Sequence, residues 1–196
     1  MKKIAFFDFD GTITKKDTLL EFIKFSKGRL AFYAGFLINM PYLAAFKLGI
    51  ISNQKAKEKV LAHFFKHVTI DRFQEYCEQF AAQRIPALLR PGAIEEINQL
   101  VSKGVEVVIV SASPENWIRP WTNAMQLQLV ATRLQVVNNR LTGRIFECNC
   151  HGQEKVRRIR EHYVLDNYVE IYAYGDSRGD LPMLSLATKP SYKPFR

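Results

Sequence analysis

Asp8 and Asp10 stand one residue apart at the end of a short apolar run, Ile4-Ala-Phe-Phe7, and Gly11 and Thr12 follow them. On an extended strand residues i and i+2 face the same way, so two carboxylates at this spacing can reach one reacting group. One can attack as a nucleophile while the other carries a proton. Ser111 ends a second apolar run, Lys155 follows Gly152, and Asp176 and Asp180 follow Gly175. Together these are the parts for phosphoryl transfer to a carboxylate. Carboxylate and phosphate repel each other, so a hard cation with oxygen ligands has to lie between them, and a lysine adds a point charge. Asp10 would protonate the leaving oxygen and later activate water, and Gly11 would permit the tight turn between strand and loop.

Each of these residues has an ordinary structural reading when taken alone. An Asp-Gly pair is a common turn signal, Ser111 can cap a helix, Lys155 can be a solvated helix residue, and Asp176 and Asp180 can each cap a short helix. The joint order separates the chemical reading from these, with each polar group at a predicted strand end or helix start.

The elements that must position them can be read from periodicity. Residues 4–7, 105–110 and 169–174 are continuous apolar or β-branched runs of the kind buried on both faces of a parallel sheet. Residues 93–102, 115–125, 154–163 and 181–186 read as helices between them, and 129–131 as a short strand. Residues 134–137 and 140–145 flank Asn138-Asn139 as a hairpin. The basic tail from Lys189 to Arg196 reads as irregular. Strands alternating with helices predict an α/β fold with a parallel sheet, whose ligands sit beyond the carboxyl ends of the strands. A helical block interrupts this pattern after the first strand, with helices over 55–66 and from Thr69 or Asp71 to about Arg84. The expected organisation is a Rossmann-like core of residues 1–13 and 91–196 with an inserted all-helical cap of residues 14–90.

Four stretches, Asp8-Phe-Asp-Gly-Thr12, the run ending at Ser111, Gly152-x-x-Lys155 and Gly175-Asp176-Ser-Arg-Gly-Asp180, resemble in order the four motifs of the haloacid dehalogenase superfamily. The insertion looks like the helical cap of its subfamily IB, which includes phosphoserine phosphatases and bacterial lipid-phosphate and histidinol-phosphate phosphatases. The resemblance implies a phosphatase working through an aspartyl phosphate on Asp8. It implies magnesium held by Asp8, the backbone carbonyl of Asp10, and Asp176, and a phosphoryl group gripped by Ser111, Ala112, Lys155 and Thr12. Gly175 and Asp180 would support the metal site from behind, or Asp180 would serve as a further ligand. Ala112 and Ser113 stand where phosphoserine phosphatases carry glycines, and Gly179 stands where they carry an asparagine. The cap residues that meet phosphoserine would fall near Asp17 and Lys59. The expected substrate is therefore a small phosphorylated metabolite or a lipid phosphate. Phosphoserine and a phosphatidylglycerophosphate-type lipid are the named alternatives, and a non-catalytic basic anion-binding protein is the rival of another class. Dehalogenation is disfavoured because it needs no acid at Asp10.

Residues 30–51 are almost wholly apolar, with Asn39 and Lys47 the strongly polar exceptions. Three readings fit: a pair of helices packed within the cap, a membrane span, or a surface that meets lipid. Pro41 and Lys47 count against the span. The expected outcome is mostly burial with a smaller apolar rim near the site. The net charge of +9 favours anionic partners, but no nucleic-acid-binding motif is present and none is expected to bind. Cys77, Cys148 and Cys150 with no secretion signal point to the cytoplasm, with a peripheral position on the inner membrane as the alternative. Cys148-Asn-Cys150-His151 fits no standard zinc spacing.

Overall fold

A computed structural model describes residues 2–196. Strand β1 (Lys2–Phe7) is followed by helices α1 (Thr18–Lys27), α2 (Arg29–Lys47), α3 (Asn53–Phe65), α4 (Ile70–Gln83) and the single turn α5 (Ile85–Leu88). Then come α6 (Pro91–Ser102), β2 (Glu106–Pro114), α7 (Glu115–Ala124), β3 (Gln128–Thr132), β4 (Leu134–Val137) and β5 (Arg140–Ile145). The chain ends with α8 (Gln153–His162), β6 (Tyr168–Gly175), α9 (Leu181–Leu184) and β7 (Lys189–Tyr192). Five strands form one parallel sheet in the order β3-β2-β1-β6-β7.

The unbroken apolar runs follow from burial on both faces. Ala5 and Phe7 of β1 join Val107 and Ile109 of β2 in one hydrophobic cluster, covered by Ile97 of α6 and Trp117 of α7. Ile4 and Phe6 join Val108 and Val110 in a second cluster, covered by Ile159 of α8 and Met183 of α9. Residues of alternate parity point to opposite faces, as strand geometry requires.

The tail corrects one expectation. Residues 189–192 are the edge strand β7, paired with β6 from Tyr172↔Lys189 to Gly175↔Tyr192. Pro190 is tolerated there because an edge strand has one side free of partners.

The predicted hairpin forms with Asn138 and Asn139 both at positive φ, as a two-residue turn of the primed type demands. It stands apart from the main sheet and packs on α3. Gly143 lies so close to the backbone of Ala62 that a Cβ there would collide with it. Leu141 exchanges backbone hydrogen bonds with His67 and Val68, at 2.8 and 2.9 Å.

Residues 30–51 also depart from expectation. The segment forms one continuous helix, α2, with Pro41 inside it, and then a short turn. Phe32, Gly35 and Asn39 face inward, while Leu30, Tyr33, Leu37, Ile38 and Met40 are exposed. Burial is thus the minority condition of this helix. Among the described residues no helix is long and apolar enough to cross a membrane.

Candidate active site

The carboxyl ends of β1, β2 and β6 converge, as parallel pairing dictates, and the polar residues that follow them share one buried cluster. Asp8 closes the ladder of β1, its amide donating to Tyr174 O of β6 at 2.9 Å. Its carboxylate is buried, with Oδ1 2.6 Å from Lys155 Nζ and Oδ2 accepting from Thr12 Oγ1 at 3.1 Å. Lys155, on the first turn of α8, also donates to Asp180 Oδ1 at 2.7 Å and to Val110 O at 2.8 Å. One ammonium thus joins β2 to the loops that follow β1 and β6. Burial pushes the Asp8 carboxyl up to about 7; Lys155 opposes this, while the charges of Asp180 and Asp10 reinforce it. Burial also works against the charge on Lys155, but Asp8 and Asp180 outweigh it and hold the ammonium above its ordinary range.

Gly11 sits at φ 87° against Asp176, where a Cβ would strike the carboxylate. This position needs glycine twice, for its backbone and for the close approach. Asp10 turns away from Asp8. Its Oδ1 accepts from the amide and hydroxyl of Thr18 at 2.7 and 2.6 Å, and its Oδ2 accepts from Ser113 Oγ at 2.6 Å. Trp117 Nε1 donates to Thr18 Oγ1 at 3.1 Å, so the hydroxyl that holds Asp10 is itself fixed. Burial, followed by the charge of Asp17, raises the Asp10 carboxyl, and the bonds from Ser113 and Thr18 oppose the rise.

Asp180 Oδ2 accepts from the amide and hydroxyl of Ser177, at 2.9 and 2.7 Å, which fixes the loop carrying Asp176. Gly175 abuts Asp180 so closely that a side chain would displace it. Asp8, Asp176 and Asp180 each bring one oxygen within 4.8 Å of the others. Asp176 also pairs with Arg196. A set of carboxylate oxygens is the donor type a hard divalent cation selects.

A cavity of about 200 Å³ opens over this cluster and includes Asp8, Asp10 and Lys155 among its walls. The helical stretch after β1 contributes Asp17, Asn53 and Lys57 to it, and later segments contribute Ala112, Ser113 and His151. Lys57 lines this cavity, and Lys59 is not among its walls. Lys57 Nζ donates to Ala112 O at 3.0 Å and to Asn149 Oδ1 at 3.2 Å, whereas Lys59 lies over the ring of Tyr42. Of the expected phosphate-binding residues, Ser111 is fully buried with its Oγ accepting from the Ser113 amide at 3.0 Å, and Thr12 is turned onto Asp8. Thr18, Asn53 and Lys57 carry no motif of their own, and the sequence marks Ser113 only as a departure from the glycine of phosphoserine phosphatases. His151 lines the cavity with Lys155, while the neighbouring Cys150 is buried in the core.

The family model described as haloacid dehalogenase-like hydrolase matches residues 5–185. The chain belongs to that family and is an enzyme of its hydrolytic class. It is 35% identical over 195 residues to protein CicA of Caulobacter vibrioides, covering 97% of this chain and 85% of that protein. A crystal structure of a protein of unknown function from Bordetella pertussis Tohama I superposes with a TM-score of 0.83 at 22% identity, over 97% of this chain and 89% of that one. A phosphoserine phosphatase captured as a phospho-aspartyl intermediate analogue superposes with a TM-score of 0.69 at 21% identity, over 95% of this chain and 83% of that one. These two likenesses are likenesses of fold.

Proposed function

We propose that the chain is a magnesium-dependent phosphomonoester hydrolase that carries the phosphoryl group on Asp8. The supporting observation is the buried contact of Lys155 with both Asp8 and Asp180 beneath a cavity that Asp10 also lines. Asp8, Asp176 and the backbone carbonyl of Asp10 would hold the cation, with Asp180 beside them. Bound there, it would neutralise charge between carboxylate and phosphate and steady the oxygens of the transferring group.

The steps belong to the protein's own groups. Asp8 attacks phosphorus in line, an Asp8–phosphorus bond forms, and the ester oxygen leaves with its electron pair. Asp10 gives that oxygen a proton. Asp10 then takes a proton from water, which attacks the same phosphorus and releases inorganic phosphate and free Asp8. Lys155 keeps Asp8 oriented and offsets charge on the transferring oxygens. The cap residues over the cavity exclude bulk water during transfer. Residues 14–90, together with the hairpin packed on α3, are the part we assign to this cap.

A cavity of about 200 Å³ suits a compact leaving group. Asp17 already caps α1 by accepting from Leu20 N at 3.2 Å, and Lys57 is engaged by Ala112 and Asn149. That commitment argues against the pair reading the amine and carboxylate of phosphoserine. A lipid phosphate is the second reading, favoured by the exposed apolar face of α2. Phosphate release from p-nitrophenyl phosphate tests the chemistry. Wild type with magnesium should turn over, and Asp8→Asn or an excess of chelator should each abolish release. Turnover by a folded Asp8→Asn protein would sink the mechanism. A screen of soluble phosphometabolites against dispersed lipid phosphates then separates the substrates.

A further inference from the structure

Helix α2 carries a surface that catalysis does not use. Leu30, Tyr33, Leu37 and Met40 follow one another at intervals of three and four, and the row continues past Ala44 to Leu48 and Ile50 in the turn beyond. Leu30 is 88% exposed, Leu37 67% and Leu48 76%. The opposite side is the anchor: Gly35 lies so close to Phe64 that a Cβ would collide with its ring, and Asn39 donates to Gly35 O at 2.8 Å. The exposed row is therefore held outward by a fixed inner face. Soluble proteins seldom leave a continuous apolar surface of this kind without something to cover it.

The charge beside the row identifies what covers it. Between Glu21 and Glu58 the chain has no aspartate or glutamate, but it has Lys24, Lys27, Arg29, Lys47, Lys55 and Lys57. Lys24 pairs with Glu21 and Lys57 turns into the cavity. Lys27 lies over the rings of Phe65 and Tyr76, which leaves Arg29 at one end of α2, with Lys47 and Lys55 at the other. A second copy on this face would meet like charges at both ends whether it ran parallel or antiparallel. A bilayer bearing anionic headgroups meets apolar side chains and flanking cations at once. We propose that α2 and the turn of residues 48–50 dock this protein flat on an anionic lipid bilayer. Insertion is shallow, because the inner face of the helix stays bound to α3. The turn lies three residues before Asn53, so docking brings the cavity mouth to the headgroup layer. The docking stands apart from the phosphatase reading, since binding needs no turnover.

Flotation of the full chain with vesicles tests it. Vesicles of phosphatidylcholine with about 30 mol % phosphatidylglycerol should carry the protein upward, and phosphatidylcholine alone should carry much less. Raising salt from about 0.1 M to about 0.5 M should weaken the binding, because surface charge is screened. Leu37→Glu should reduce affinity at least tenfold and Arg29→Glu about fivefold. The melting temperature of Leu37→Glu should stay within a few degrees of wild type, since the side chain touches solvent. The proposal fails if wild type floats with neither vesicle at low salt, or if Leu37→Glu floats as well as wild type. It fails equally if light scattering shows a wild-type dimer that Leu37→Glu converts to monomer, because the face is then a contact between copies.

Discussion

Asp8, the nucleophile of the proposed reaction, is a carboxyl whose burial weakens the fold. Burial raises it from an ordinary 3.8 to about 7, with Lys155 pulling it down and Asp180 and Asp10 pushing it up. A folded-state value above the unfolded one means that the native protein holds this proton more tightly. The penalty of ionising Asp8 is therefore absent below about pH 3.8 and complete above about pH 7. Asp8→Asn removes the penalty, and Lys155 still has Asp180 and Val110 O as partners. In chelator, Asp8→Asn should be more stable than wild type by roughly 1–3 kcal/mol at neutral pH, with the gap closing as pH falls towards 4. Urea titrations at several pH values measure it, and magnesium should narrow the neutral-pH gap by stabilising only the wild type. A gap of the same size at every pH would contradict the assignment of the raised carboxyl to Asp8. Asp10 follows a different logic: three donors fix its carboxylate, so it is aimed as well as buried.

At the scale of the element, α8 has to hold Lys155 in register with three strands. Arg158, one turn along, does this. It donates to Ala131 O at the end of β3 and to Cys148 O in the loop before the helix, both at 2.7 Å, and to Glu154 Oε1 at 2.8 Å. Hydrogen bonds from Arg157 and Arg158 outweigh burial and bring the Glu154 carboxyl down to about 2 from 4.5, with the Arg157 bonds the largest influence. A lowered value contributes stability above the unfolded pKa that is lost as pH falls through the folded one. Wild type should therefore lose stability relative to Glu154→Gln between about pH 4.5 and pH 2. Arg158→Met should cost roughly 2–4 kcal/mol, because the buried carbonyl of Ala131 loses its donor, the partly buried carbonyl of Cys148 loses another, and Glu154 loses an ion-pair partner. It should also lower kcat, with Lys155 no longer held in place. Unchanged stability in Arg158→Met would remove Arg158 from this role. Much of this scaffold is legible in the sequence: the three runs ending at Asp8, Ser111 and Gly175 are strands, and parallel pairing brings their ends together. Asn138-Asn139 reads as a tight turn because both residues tolerate positive φ. The rest depended on contacts between distant segments. Arg158, Ser113 and Lys57 act through partners 10 to 103 residues away, and nothing local marks them. The strand at residues 189–192 is short and contains proline, and only its pairing with β6 makes it one.

The whole molecule is tied together across the helical insertion. Phe22 of α1 stacks on Trp117 of α7 with ring centres 4.7 Å apart, and it also meets Phe65, Phe73 and Phe80 of α3 and α4. A single hydrophobic cluster runs from Phe7 and Ile109 of the sheet, through Trp117, to Phe32 of α2. Polar contacts repeat the link at the cavity: Lys57 Nζ donates to Ala112 O at 3.0 Å and Asn149 Nδ2 to Asn53 Oδ1 at 2.9 Å. Because the helices share one of the sheet's two hydrophobic clusters, the insertion has no separate interior to keep when the sheet melts. The 196-residue chain should therefore unfold in one cooperative transition, although its length would allow two. Phe22→Ala should test this most sharply, since the cavity it leaves opens onto both parts and should cost roughly 3–5 kcal/mol. Tryptophan fluorescence reports on Trp117 and Trp121 in the core, and far-ultraviolet circular dichroism is weighted towards the helices. Both midpoints in urea should fall together in Phe22→Ala, with the slope unchanged. Separate midpoints in wild type, or a shift of one signal alone in the variant, would show that the helical insertion is an independently folding unit and that Phe22 does not join it to the core.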